Sequence, residues 1–292
     1  MIAYGTGYTG SGPLILWRNL FAIGDMTASS GTADRPAVGA TVDDTVARWQ
    51  PTALPAWMQA DIDEDDAWIV SGDTIFDAPD PPDAPVMDGG VISGDYLGPF
   101  VSALGVAAHN LFSCACTVYA QYWDGEDWVT VAEHTPSRDT EAVLLVWAPV
   151  RATRWRLYIE GATAPVIGYA SLGLALEVPG GVVPGYRPLY MSQKVESRVP
   201  LSVGGQKLGA YVSREGVSTA LSFAPVDREW AATTFDPFRR HFNDGGGFFL
   251  APTPVMSLRD VALCWREGDE IGPTHDTIGE WFTFQMGVRA HG

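Results

Sequence analysis

Five histidines are the first residues to test for catalysis: His109, His134, His241, His275 and His291. A serine nucleophile of the hydrolase type stands in Gly-x-Ser-x-Gly at a strand-to-helix turn. The chain has no such run, and Gly10-Ser11-Gly12 lacks both the spacing and the following helix. A phosphate cradle needs glycines leading into a helix N-terminus. Gly245-Gly246-Gly247 leads instead into Phe248-Phe249-Leu250, a strand-like run. The expectation is a protein that is not an enzyme and carries no cofactor.

Carboxylates are the second candidates. Eleven lie between Asp61 and Asp95, with no base among them. Glycoside hydrolysis needs one carboxyl in a dry pocket with a raised pKa. Pro79, Pro81, Pro82 and Pro85 make this segment an extended, wet loop instead. Asp61-x-Asp63-x-Asp65 opens like an EF-hand, but the sixth position is Asp66 rather than Gly and the twelfth is Gly72 rather than Glu. Two outcomes stay open for Asp61, Asp63 and Asp65: a looser oxygen cage on a sandwich edge, or a solvated acidic face. Strand alternation aims the three to one side, and Ile62 and Trp68 tether the flanks. No glycine permits a sharp turn before Gly72, so the solvated face, without a metal, is the reading taken.

The cysteines offer no metal site either. Cys114 and Cys116 fall on one face of a strand, with Cα atoms ~6.5–7 Å apart, which rarely suits a disulfide. Cys264 stands alone. All three read as small buried hydrophobes in a reducing compartment, and no zinc-ligand spacing is present.

Aromatic residues outnumber these candidates. Trp49, Trp57, Trp68, Trp123, Trp128, Trp147 and Trp155 all precede residue 184. A ring packs on the C–H face of a sugar, while carboxylates and amides serve its hydroxyls. Each tryptophan taken singly reads first as core. Gln121, Tyr122 and Trp123, near a hairpin tip, are the candidate carbohydrate-binding residues.

The elements that position these residues follow from composition and pattern. The 292 residues hold 35 acids against 18 bases, a formal charge of −17. That sign opposes nucleic acid, whose phosphates need clustered Lys and Arg, and it opposes a polybasic membrane anchor. With 46% apolar residues the chain can bury a core as one large domain or two ordinary ones. Its 32 Gly and 21 Pro favour short strands and tight turns. No run approaches the ~18 apolar residues of a membrane span, and Met1–Gly7 lacks the basic start of a signal peptide.

Charge divides the chain. Residues 1–184 hold 23 acids and 7 bases, net −16, and residues 185–292 hold 12 acids and 11 bases, net −1. Two Pro-Gly pairs, at 179–180 and 184–185, mark the seam. The expected domains are 1–183, with an extended arm over 1–13 and an acidic loop region over 61–95, and 184–292. The first half reads as all-β. Thr117–Trp123 and Glu126–Val131 flank Asp124-Gly125 and predict a hairpin. Trp155, Leu157 and Ile159 alternate with polar residues, as in a half-buried strand. The second half reads as a small β-domain with one helical excursion, carrying Trp230, Phe235, Phe238 and Phe242 and broken or kinked at Pro237. Nearly neutral and aromatic, it is the expected inner assembly part, with these four residues as the candidate assembly interface.

Several segments carry a family resemblance. Asn19-Leu20-Phe21, Thr27-Ala28-Ser29-Ser30, Arg48-Trp49-Gln50-Pro51, Ala108-His109-Asn110-Leu111, Val118–Gly125 and Thr153–Ile159 resemble the galactose-binding-like, discoidin-type jelly roll. The ordered series is similar to tail proteins of long-tailed bacteriophages, in which such a module precedes a smaller β-domain. The resemblance implies a mainly β protein, a galactose-binding-like jelly-roll sandwich followed by the smaller β-rich domain. It matches no sugar-contacting signature, so no binding residue is carried over.

On that resemblance the expected function is structural: a virion protein near the distal tip or baseplate of a phage tail, assembled in the host cytoplasm. Its partners are then copies of itself in a symmetric ring, neighbouring tail proteins and host surface polysaccharide touched by the outward jelly roll. The alternative is a non-catalytic carbohydrate-binding module of a cellular or secreted protein. A third, an acidic β-sandwich esterase, needs a Ser-His pair in one cleft, and no motif supplies it.

Overall fold

In Arg154–Glu160 the side chains of Trp155, Leu157 and Ile159 are buried, and Arg154 and Glu160 are exposed. This period of two sets one strand of a sandwich. The computed structural model describes residues 1–42, 45–62, 98–139, 141–200, 202–209, 211–275 and 281–291. The acidic loop from residue 63 onward, with Asp63, Asp65 and Trp68, lies outside them.

The outer sheet of the sandwich has five antiparallel strands: β3 (Asp25–Ala28), β4 (Ala56–Asp61), β9 (Arg154–Glu160), β6 (Thr117–Trp123) and β7 (Trp128–His134), in that spatial order. The facing sheet has four: β1 (Ile2–Tyr4), β8 (Val143–Arg151), β5 (Phe100–His109) and β10 (Ile167–Gly173). From β4 to β10 the chain passes back and forth between the two sheets, in jelly-roll manner. Between them lie the fully buried Trp49, Trp147 and Trp155, with Leu104, Leu145 and Leu157. Each such side chain contributes ~1.5–3 kcal/mol by leaving water. The indole N–H of Trp49 donates to the Ser30 carbonyl (2.8 Å) and that of Trp155 to the Ala152 carbonyl (3.1 Å), so two large rings are buried without stranding their polar atoms.

The third sheet has seven strands: β11 (Leu176–Glu177), β2 (Leu14–Leu16), β15 (Phe248–Ala251), β16 (Ala262–Arg266), β19 (Gln285–Ala290), β13 (Tyr211–Ser222) and β12 (Gln193–Arg198). A small sheet joins β14 (Val226–Asp227), β18 (Trp281–Thr283) and β17 (Thr274–His275). The four-stranded sheet is buried on both faces. Leu145 and Trp147 of β8 point into the sandwich, while Leu144 and Val146 pack on Phe249 and Leu16 of the seven-stranded sheet. The near-continuous apolar run Val101–Ala107 is what such a two-sided strand requires.

Two sequence expectations need correction here. The seam at 183/184 does not separate the sheets. β2 and β11 come from the first half yet pair within the second half's sheet, β2 against β15 and β11 against β2. Residues 1–13 therefore run from β1, parallel to β8, across to β2. Second, the aromatic cluster assigned to assembly is interior. Asp227 caps a helical run through its carboxylate, which accepts the Glu229 and Trp230 amides. The run passes through π-turns at Ala231–Phe235 into a helix, Asp236–Asn243; Pro237 cannot donate back to the preceding turn, and the wider π-turns fall where that bond is missing. Phe235, Phe238 and Phe242 are fully buried against Phe248 and Phe284 of their own chain, and Trp230 stacks on Phe235. Periodicity marks a buried face without saying whether the burying surface is intra- or intermolecular, and here it is intramolecular.

Candidate functional site

The side of the five-stranded sheet facing away from the sandwich core carries polar and aromatic residues in register across four strands. Trp57 of β4 pairs with Tyr158 of β9, and Tyr158 with Tyr119 of β6. One step along, Gln59 pairs with Arg156, Arg156 with Gln121, and Gln121 with Thr130 of β7. The result is a row of three half-buried rings beside a row of hydrogen-bonding groups. The ring row crosses two inter-strand spacings, ~10 Å.

Arg156 organises this face. Its guanidinium carbon lies 4.0 Å from the Trp128 ring centroid and 4.8 Å from that of Tyr158. Its Nε donates to Gln121 Oε1 (2.7 Å), and Gln121 Nε2 donates to Thr130 Oγ1 (2.8 Å). Partial burial pulls the guanidinium below the ordinary arginine range without discharging it. Beside it the Glu160 carboxylate accepts from the Tyr158 hydroxyl (3.0 Å) and the Tyr119 hydroxyl (3.3 Å). Burial first, then that carboxylate, raises both phenols, so they stay protonated donors. At the other end Asp61 accepts from Gln59 Nε2 (2.8 Å) and pairs with Arg154 (3.3 Å).

The hairpin that carries the sequence candidates turns through four residues rather than two. The Asp124 carboxylate accepts the Glu126 and Asp127 amides, and β7 begins only at Trp128. Gln121 lies on the outer face, already bonded to Arg156 and Thr130. Trp123 packs edge-on against Trp128 at 5.6 Å. Tyr122 points the other way, against Trp155 of the core at 5.4 Å. The three are adjacent in sequence but do not form one surface. Sequence reasoning missed Trp57, Tyr119, Trp128, Arg156 and Tyr158. The alternation in 154–160 turned Arg156 and Tyr158 outward, but the register that gathers the five was not readable.

A second concavity, of about 290 Å³, is lined by Arg48, His109, Asn110, Asp139, Val166 and His291 among others. Burial lowers His109 to about 4, so it is neutral. Its Nδ1 accepts the Leu111 amide (3.4 Å). Ser113 directs its hydroxyl to the Asp139 carboxylate rather than to an imidazole. No Ser-His pair of the kind an esterase requires is formed there. Among the described residues no group of three or more His, Cys, Asp or Glu could hold a metal ion. Likewise, among them no helix is long and apolar enough to cross a membrane.

The mainly β, jelly-roll-type class is the one the sequence predicted. No family model matches the chain, and no curated protein does. Solved structures match at low identity. The family 32 carbohydrate-binding module of C. perfringens NanJ, in complex with galactose, is 14% identical, with 54% of this chain and 98% of that chain covered and a TM-score of 0.37. A pectin-binding carbohydrate-binding module is 16% identical, covering 54% and 94% with a TM-score of 0.35. SpGH29 is 13% identical with a TM-score of 0.36, and the match spans 55% of this chain but only 28% of that one.

Proposed function

We propose that this is a non-catalytic carbohydrate-binding protein whose ligand lies across the outer face of the five-stranded sheet. The observation that carries the reading is the ring row Trp57–Tyr158–Tyr119 flanked by Arg156, Gln59 and Gln121. Rings give sugar C–H faces a platform, and the flanking guanidinium, amide and carboxylate groups reach hydroxyls. These groups are tied to one another, so the face is organised before a ligand arrives. Of the similar structures, the NanJ module is described in complex with galactose and another module as pectin-binding.

The test is a glycan array followed by calorimetry on the full chain. Binding to at least one oligosaccharide, lowered at least tenfold in Tyr158→Ala with an unchanged melting temperature, is the expected result. Binding that survives both Tyr158→Ala and Trp57→Ala would place the ligand elsewhere.

A second reading, which rests on the sequence resemblance alone, is a structural component of a phage tail that packs against its own copies in the virion and is built in the host cytoplasm.

A further inference from the structure

Arg156 stands mid-way across the outer face of the five-stranded sheet with its charge unanswered. Stacking on Trp128 and Tyr158 uses the flat of the guanidinium, and Nε is committed to Gln121 Oε1. Its two terminal nitrogens, Nη1 and Nη2, hold no hydrogen bond and no ion pair among the described residues. The next arginine on the same face differs, since Arg154 is paired with Asp61. The residues in register with Arg156 across the sheet, Gln59, Gln121 and Thr130, are all neutral.

The carboxylates of this face lie toward its ends. Glu160 is four residues along β9, about 13 Å from Arg156 at ~3.3 Å per residue. Asp61 is held by Arg154 and Gln59. Glu133 pairs with Tyr119 on β7, two strands from β9. Charges beyond the screening length, ~8 Å at physiological ionic strength, are largely silent. The guanidinium therefore dominates the middle of the face even on a chain of net −17.

Its free edge has a chemical match. A carboxylate is planar and takes two parallel N–H donors from an arginine. Two rings have already stripped part of the water from this guanidinium, so a carboxylate that meets it gives up little further solvation on the protein side. The guanidinium carbon lies 4.8 Å from the Tyr158 ring centroid. A sugar lying on Tyr158 thus carries a ring substituent onto the guanidinium edge. In a uronate that substituent is a carboxylate attached directly to a ring carbon. In a neutral hexose it is a hydroxymethyl group, which leaves the charge unmet.

We propose that the sheet face is selective for acidic oligosaccharides, with a uronate ring on Tyr158 and its carboxylate on the terminal N–H groups of Arg156. This rests on the sheet-face reading above and adds the substrate class to it. A sulfate ester carries the same charge one oxygen farther from the ring, and the test separates the two.

The test is calorimetry on the full chain with a galacturonate trisaccharide and a mannuronate trisaccharide, each as free acid and as methyl ester, at low and high salt. Esterification removes the charge and keeps the ring. At least one free acid should bind tenfold or more tighter than its ester, and the advantage should shrink as salt rises. In Arg156→Gln the advantage should fall below twofold. If that variant proves unstable, Arg156→Lys should keep only part of the advantage, and the acid–ester comparison on the wild type stands without either. Esters that bind as tightly as acids, both weakened in Tyr158→Ala, would leave a sugar site on the sheet and overturn its acidic selectivity. An advantage undiminished in Arg156→Gln would overturn it too, as would a galactose 6-sulfate disaccharide preferred over both uronates. Acids and esters that all fail to bind, while a neutral glycan binds on the array, refute the acidic class alone; an array with no binding at all refutes the sheet-face reading and this inference with it.

Discussion

Gly105 of β5 lies directly beneath the ring of Phe249 of β15, and a Cβ at residue 105 would overlap that ring. Glycine is required there by close approach between the second and third sheets. Tyr169, on the neighbouring strand β10 of the same sheet, stacks on Phe249 with ring centroids 5.8 Å apart, so that ring is held from the four-stranded sheet at two points.

Gly105→Val should therefore destabilise the protein by about 2–3 kcal/mol, the usual cost of overpacking a filled core. Thermal unfolding followed by circular dichroism checks this. An unchanged midpoint would mean that the two sheets are less tightly apposed than described.

Asp260 supplies a second prediction. Burial raises its pKa against the pull of its three hydrogen-bond donors. Removing the carboxylate strands the Leu189 amide and the Tyr186 hydroxyl, so Asp260→Ala should cost about 2–4 kcal/mol and Tyr186→Phe about 1 kcal/mol. In a double-mutant cycle the two should couple favourably. Strict additivity would show that the Tyr186–Asp260 contact carries no energy of its own.

A third prediction concerns pH. His109 is buried and neutral, with its pKa lowered from 6.5 to about 4 by desolvation. Between those values the unfolded chain binds a proton that the folded chain refuses. The stabilisation is full above pH 6.5 and is lost as pH falls toward 4, up to about 3 kcal/mol. His134 and His291 are lowered too and act in the same direction. Melting temperatures at pH 7, 5.5 and 4.5 should fall for the wild type and fall less steeply for His109→Gln. Parallel curves would remove His109 as a source.

Arg156 gives the fourth. Lysine retains the charge but not the planar stack on Trp128 and Tyr158, nor the directed Nε donation to Gln121. Arg156→Lys should lower glycan affinity roughly tenfold with little loss of stability, and calorimetry reads both. Equal affinity would assign the guanidinium a role in folding alone.

Much of the first half was legible because its strands alternate. In β9 the residues Trp155, Leu157 and Ile159 turn inward as their spacing requires. β5 has no alternation to read, since both of its faces are buried, and the near-continuous apolar run Val101–Ala107 gave no period. The role of Leu14–Leu16 was hidden for another reason. Three apolar residues near the start of a chain say nothing of a partner such as Phe249–Ala251, more than 200 positions away. The candidate site was half visible. Pattern turned Arg156 outward, but its proximity to Trp128 depends on the β9–β6–β7 order, which single-strand patterns do not encode.

The interleaving of the two halves also governs how the molecule can be taken apart. Cut at residue 184, the N-terminal fragment would bare the apolar face of the four-stranded sheet, and the C-terminal fragment would lose β2 from its sheet. Both pieces should aggregate or fail to fold. Heating the whole chain should give a single calorimetric transition, and the amides of β5 and β8, enclosed between two other sheets, should be among the last to exchange with deuterium.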